Sequence, residues 1–162
     1  MVSENNISHE TKMKDFNSDN GIKNEKTTYQ FNHKLLVISL IILAFIGTTY
    51  FWLDERVEFF ELSWMLVFSI WYVWLIASLF FIFSRKKLGY LLGGILAWVT
   101  IGFLLLDNFH TVFGISVIAS TPSLNITVKN FIEIIIAGLV VFSAHNSFHK
   151  IKFLNNNIKS ES

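Results

Sequence analysis

Four titratable residues of this sequence have types and positions that could bind a metal ion or a proton. Asp107 ends a long apolar stretch, where the dipole of a helix is negative and disfavours a carboxylate. His110 follows three positions later, and an imidazole with carboxylates is a suitable ligand set for a first-row divalent metal ion. Glu61 and Glu133 border the neighbouring apolar stretches, whose ends meet in a sequential antiparallel bundle. The sequence therefore predicts a divalent-metal or proton site made of Asp107, His110, Glu61 and Glu133.

Two of these acids also have structural explanations. The carboxylate of Asp107 could be solvated at the membrane interface, bonded to a nearby backbone, or paired with Lys129. Asn130 and Glu133 have the spacing of an N-cap residue and the acid of a capping box, a position that the helix dipole favours. The sequence leaves both explanations open beside the metal site.

Three histidines and an aromatic stripe offer other chemistry. His145 and His149 lie one helical turn apart, so they could bind a metal, or either could face His33 as a haem ligand. A simpler explanation for His145 and His149 is that they lie near a helix C-terminus, where cationic side chains are favoured. A stripe of large side chains that could contact a pigment or quinone is more typical of ordinary packing; it comprises Trp64, Phe68, Trp71 and Leu75.

Small residues recur at a spacing of four along the third apolar stretch. Gly89, Gly93 and Ala97 would lie on one face of a helix, where they allow close approach of a second helix. We expect this face to be a helix-packing surface, either within the chain or between chains.

Composition and cysteine usage exclude several classes of protein. The chain has 162 residues, of which 52% are hydrophobic and 15% are charged. Soluble domains carry about 25% charged residues, so the composition favours a membrane protein. Cysteine is absent, which excludes disulfides and thiolate chemistry. A net charge of +1 argues against nucleic acid as a partner, because binding of phosphates needs a basic excess.

Four apolar stretches of the chain are long enough to span a bilayer as helices. They are residues 35–53, 62–83, 88–106 and 131–148, each close to the roughly 20 residues that a hydrocarbon core requires. The only proline, Pro122, lies outside them. The sequence predicts an all-α membrane protein, with a four-helix transmembrane domain over residues 35–153.

The distribution of basic residues predicts the orientation of these helices. Most lysines and arginines fall on one side of the predicted spans: Lys23, Lys26, Lys34, Arg85, Lys86, Lys87, Lys150, Lys152 and Lys159. The positive-inside rule assigns that side to the cytoplasm. We therefore expect a multi-pass protein of the cell membrane, with both termini cytoplasmic.

The segments outside the spans suggest two tails and one unusual loop. Residues 1–34 are polar and lack apolar periodicity, so we expect a disordered cytoplasmic tail, and a short one at 154–162. In the outer loop, 107–130, Leu124, Ile126 and Val128 alternate with polar residues. This alternation favours a β-hairpin, with an interfacial helix over 109–119 as the alternative.

The sequence contains no recognisable catalytic motif and no charged or broken helix at mid-membrane depth. We therefore expect a non-catalytic subunit or accessory protein of a larger membrane complex, in contact with lipid and with other subunits or copies of itself. The alternatives are a metal-handling membrane protein or enzyme that uses the outer acids and His110, and a small-solute carrier that acts as an oligomer.

The topology gives the first testable prediction. Reporter fusions after Lys34, Lys87 and Ile158 should report the cytoplasm, and fusions after Glu58 or Ser123 should report the outside, because the basic segments stay inside. An outside signal at Lys87 would contradict the arrangement of four spans.

Overall fold

Four long α-helices make up nearly all of the described chain. The computed structural model describes residues 4–49, 62–109 and 124–160, with side chains for 24–25, 27–49, 62, 65–109 and 124–151. The helices are α1 (Glu4–Thr48), α2 (Leu62–Phe83), α3 (Lys87–Asp107) and α4 (Leu124–Ser160). No strand occurs within the described ranges. The predicted all-α class is confirmed.

Each helix contains a segment that is long and apolar enough to cross a membrane. These segments are Thr27–Thr48, Met65–Phe83, Lys87–Asp107 and Leu124–Ile151. An α-helix satisfies its backbone hydrogen bonds internally, as hydrocarbon surroundings require. The fold is therefore a four-helix transmembrane bundle, as the sequence predicts.

Helix α4 lies at the centre of the bundle. It packs along both α1 and α3, whereas α2 packs on α3 and contacts α1 at few positions. One α1–α2 contact is made by Tyr72, whose hydroxyl donates to the carbonyl of Ala44 at 3.2 Å. The core is formed mainly where α1, α3 and α4 meet: Leu36, Leu40, Leu43, Tyr90, Ala97, Ala137, Val140 and Ala144.

A tight turn joins α2 to α3 and explains why glycine is present at position 89, the first position of the predicted small-residue face. The N–H of Lys86 bonds the carbonyl of Phe81, and that of Arg85 bonds the carbonyl of Ile82, both at 2.9 Å. Arg85 has φ 53°, so this is the Schellman ending of a helix with arginine at the left-handed position. A Cβ on Gly89 would lie 2.6 Å from the carbonyl carbon of Phe81 and would overlap the nitrogen of Ile82. Glycine is therefore required at position 89.

The rest of the small-residue face also packs within the chain. A Cβ on Gly93 would lie 3.7 Å from the Cδ1 atoms of Ile82 and Leu40, which is ordinary contact distance. Ala97 is completely buried in the core. Close backbone approach is thus concentrated at Gly89, while position 93 has room for a methyl group.

The predicted hairpin is wrong for residues 124–129, because α4 already begins at Leu124. Helical geometry buries Ile126, Thr127 and Asn130, while Leu124 and Val128 are exposed. A short run of β-branched residues is compatible with either helix or strand, and the helix is the form that brings Asn130 to the α3 contact. The rest of the hairpin prediction falls on residues 113–123, outside the described part of the chain.

The boundaries predicted for the two tails also differ from the structure. Helix α1 begins at Glu4, so it includes residues 4–34, for which the sequence predicts a disordered tail. Tyr29 and Asn32 are buried, and together with Leu36 they continue the buried face of the apolar stretch at helical spacing. Helix α4 likewise runs on to Ser160, through most of the predicted C-terminal tail.

The packing of the α2–α3 turn gives a second prediction. Gly89→Ala should destabilise the bundle by about 1–3 kcal/mol, because its Cβ would overlap backbone atoms of α2 that cannot move aside. Thermal unfolding in detergent measures the effect. Gly93→Ala is the control and should be neutral or slightly stabilising, since its Cβ has space and alanine favours the helix. Equal losses for the two variants would show that the turn is not a close contact.

Candidate functional site

Six polar or charged side chains are buried at the end of the α3–α4 contact that lies away from the α2–α3 turn. We refer to them as the polar cluster: Asp107, Asn108, Thr127, Lys129, Asn130 and Glu133. Each is at most 8% exposed, although the surrounding helices are apolar. Polar side chains are costly in such surroundings, so a group of them indicates either a functional site or a specific structural link.

The end of one helix and a turn within another position these residues. Helix α3 ends at Asp107, and the N–H of its C-cap residue, Asn108, bonds the carbonyl of Leu104 at 3.0 Å. Lys129, Asn130 and Glu133 follow the start of α4, where their spacing brings them to its inner side. The cluster thus depends on α4 beginning early enough to pass beside the end of α3.

Asn130 makes the direct link between the two helices. Its Nδ2 donates to Oδ2 of Asp107 at 2.8 Å and to Oδ1 of Asn108 at 3.0 Å. Hydrogen bonds between transmembrane helices contribute roughly 0.6–2 kcal/mol. Because one amide bonds two consecutive residues of α3, it holds α4 at a defined height along α3. Asn130 also donates a hydrogen bond to the carboxylate of Asp107, which lies at the C-terminal end of α3, where the helix dipole disfavours a negative charge.

The capping-box interpretation of Glu133 is wrong, because α4 begins well before Asn130. Glu133 instead forms a buried ion pair, in which its Oε2 lies 2.9 Å from Nζ of Lys129, one turn earlier in α4. Removing one member of such a pair is costly because it leaves the other charge buried and uncompensated. The two charges therefore remain together inside the bundle.

The cluster has hydrogen-bonding capacity that the described residues do not use. Nδ2 of Asn108 and Oδ1 of Asn130 are both buried and have no partner in the part of the chain that the structure describes. One is a donor and the other an acceptor, and each buried polar group without a partner costs roughly 1–3 kcal/mol. This capacity matches a small polar species that both accepts and donates hydrogen bonds, such as water.

The predicted metal ligands are only partly described by the structure. Asp107 and Glu133 both lie in the polar cluster, whereas the side chains of His110 and Glu61 fall outside the described residues. Within the described residues, no three histidine, aspartate or glutamate side chains are grouped as metal ligands would be. The divalent-metal site therefore stays a prediction. Asn108 is not among the residues predicted from the sequence, and Asn130 is predicted only as a helix cap. The helical spacing of Ile126, Asn130 and Glu133 is the signal that could have identified the buried face.

An apolar cavity of about 130 Å³ adjoins the cluster and is lined by all four helices. Trp71 and Phe68, two residues of the predicted aromatic stripe, form part of its wall. Nε1 of Trp71 donates to Oγ1 of Thr100 at 3.0 Å, which fixes the indole against α3. Among the described residues that line the cavity, Glu133 is the only ionisable one. The aromatic stripe thus lies partly inside the bundle and packs there.

The opposite end of the bundle holds a second polar network. Nδ1 of His33 lies 2.7 Å from the hydroxyl of Tyr90, and the hydroxyl of Tyr29 lies 2.9 Å from the same atom. His145 and His149 stack edge to face, with ring centroids 4.5 Å apart. His33 is bonded to Tyr90, whereas the other two histidines line a cleft between α3 and α4.

Comparisons with protein-family models, curated proteins and solved structures give no match to this chain. The fold and the buried groups alone therefore define its class: an α-helical membrane protein of four spans with a polar cluster at one end.

The asparagine link gives a third prediction. Asn130→Ala should lower the free energy of unfolding by about 1–3 kcal/mol, because Asp107 would lose a buried donor. The measurement is thermal or denaturant-induced unfolding in detergent. Asn125→Ala is the matched control on the same helix, where the side chain is exposed and the change should stay within about 0.5 kcal/mol. An unchanged Asn130→Ala protein would show that the link contributes nothing to stability.

Proposed function

We propose that this protein is a non-catalytic subunit or accessory protein of a larger complex in the cell membrane, with both termini in the cytoplasm. The observation that supports this most is the position of α2. Only 17% of its membrane-spanning part is buried, compared with 33% to 39% in the other three helices. Most of this helix is thus available to a neighbouring subunit or to a second copy of the chain.

The outward side of α2 has the composition of a helix-packing surface. Its exposed apolar side chains follow one another at helical spacing and include Val67, Ile70, Val73, Ile76 and Phe80. Hydrocarbon gives no hydrophobic drive for helix association, so packing must come from shape and close contact. A second helix could rest on this side of α2 without disturbing the core, because α2 contributes to the core from its opposite side, where Ile82 is buried.

The described polar groups also suit a structural role. Asn130 bonds both Asp107 and Asn108, and Lys129 pairs with Glu133. The asparagine bonds join α4 to the end of α3, and the ion pair connects two turns of α4. The cytoplasmic assignment of the termini is supported by Lys34, Arg85, Lys86 and Lys87, which flank the ends of three spans on one side.

Site-specific photo-crosslinking in native membranes tests the proposal. A photoreactive residue at Val73 or Ile76 should give a defined crosslink to another protein chain, because these positions face away from the bundle on its least packed helix. Ile135 and Phe142 on α4 are the controls, since they are similarly exposed on the most packed helix. Crosslinks to lipid alone at all four positions, with a monomeric protein in mild detergent, would contradict a subunit role.

A second candidate function is the handling of a metal ion or protons by the polar cluster. The burial of both Asp107 and Glu133 at one end of the bundle is the observation in its favour. If a divalent ion binds, purified wild type should contain stoichiometric metal, and Asp107→Asn and His110→Ala should lose it. Metal analysis that finds none in the wild type, with no thermal shift on adding zinc, copper or manganese, would exclude the metal form of this function.

A further inference from the structure

A cleft of about 310 Å³ opens between α3 and α4 at the end of the bundle that carries the α2–α3 turn. Its floor is formed where Gly94 faces Ala144: a Cβ on the glycine would lie 3.6 Å from the Cβ of Ala144. Larger side chains, Trp98 on α3 and Phe148 on α4, form its walls. Two small residues between large ones thus create an apolar trough, open to the side of the bundle.

Two histidines lie at one end of the trough. Apart from Tyr90, they are the ionisable residues among the described residues that line it. His145 and His149 are one turn apart on α4, and both are exposed. Their ring centroids are 4.5 Å apart and the ring planes are inclined at 66°, an edge-to-face contact. The cleft therefore combines a long apolar part with imidazole N–H donors near the end of a span.

The back of the cleft is held rigid by Tyr90. This residue is 1% exposed, and its hydroxyl is bonded to His33 and Tyr29 of α1. Its ring thus stands between α1 and the cleft, and the side chain cannot swing away from α1 without breaking both hydrogen bonds. A cleft with a fixed wall is present before any ligand arrives, which reduces the ordering cost of binding.

The charge around this end of the bundle is positive. The described side chains here include five basic residues and one acid, Glu25; the basic ones are Lys34, Arg85, Lys86, Lys87 and Lys150. The acid is paired with Lys150 at 3.3 Å. Lys87 precedes Tyr90 and Leu91 by three and four positions, so it lies on the side of α3 that borders the cleft. Basic clefts between helices at a membrane surface suit anionic lipid head groups.

We propose that this cleft binds one phospholipid with an anionic head group. One acyl chain lies in the trough over Gly94 and Ala144, against Trp98. The phosphate receives hydrogen bonds from His145 and His149 and is attracted by Lys87. The lining of α4 runs from Val141 to His149, which is about 12 Å along the helix axis, so the head group and the chain occupy different ends of one site.

Lipid binding to the purified protein tests this assignment. Phosphatidylglycerol and phosphatidylcholine of equal chain length are added in detergent, and bound lipid is counted by native mass spectrometry. Wild type should retain one phosphatidylglycerol with a preference of about tenfold, the amount that one or two basic groups near a membrane surface supply. Equal retention of the two lipids, or replacement of phosphatidylglycerol by an isoprenoid quinone added at the same concentration, would overturn the proposal.

Two glycines of α3 provide a matched pair of variants. Gly94→Leu should abolish retention because its side chain fills the trough. Gly102→Leu makes the same change on the same helix, where a Cβ meets nothing within 4 Å, so it should retain phosphatidylglycerol as wild type does. Retention by Gly94→Leu at the wild-type level would show that the lipid binds elsewhere.

The head-group end is tested separately by His145→Gln combined with His149→Gln. Both side chains are exposed, so their replacement leaves the core intact. Because the phosphate is common to both lipids, the double variant should retain less phosphatidylglycerol and less phosphatidylcholine than wild type, while the preference supplied by Lys87 remains. Unchanged retention of both lipids would remove the histidines from the site and overturn the proposed position of the phosphate.

Discussion

The contacts of α4 with α1 and α3 are the constraint on which the rest of this structure depends. Within a bilayer, helices gain nothing by hiding apolar surface from lipid, so they associate through close packing and hydrogen bonds. Here α4 has small residues, such as Ala137 and Ala144, at its buried positions. The polar cluster and the cleft lined by His145 and His149 both lie along the contact of α4 with α3. Helix α2, which does not share in this arrangement, is correspondingly the most exposed.

The two ends of the bundle are built on different principles. At one end, backbone bonds of the α2–α3 turn and the missing side chain of Gly89 bring two helices into close contact. At the other end, side chains make the connection, since Asn130 bonds Asp107 and Asn108 across the interface. An apolar surface permits helices to slide or rotate at little cost, whereas a buried amide with two partners permits one arrangement. The polar cluster therefore contributes specificity as well as stability.

The described polar groups are distributed along the bundle, and most of them join one helix to another. The Lys129–Glu133 pair lies within α4, the Trp71–Thr100 bond joins α2 to α3, and the Tyr90 hydroxyl joins α3 to α1. Such single bonds distributed along a bundle are typical of membrane proteins in which the helices already pack well. They leave the outward surfaces of α2 and of the α3–α4 cleft among the parts of the described chain that are exposed to lipid or to another protein.

The sequence by itself determined the number of spans, because four apolar stretches of the right length allow few other structures in a bilayer. It also indicated the small-residue face of α3, since glycine spacing is a local property. The sequence could not decide between hairpin and helix for residues 124–129, because a short β-branched run is compatible with both. It also placed the start of the first span too late, because Tyr29 and Asn32 stand among polar residues. Asn130 was interpreted as a helix cap. Only the tertiary structure decided its role, because the partner of a buried side chain depends on the rotation and height of one helix against another. Those two quantities are set by packing along the whole contact and not by any local run of residues.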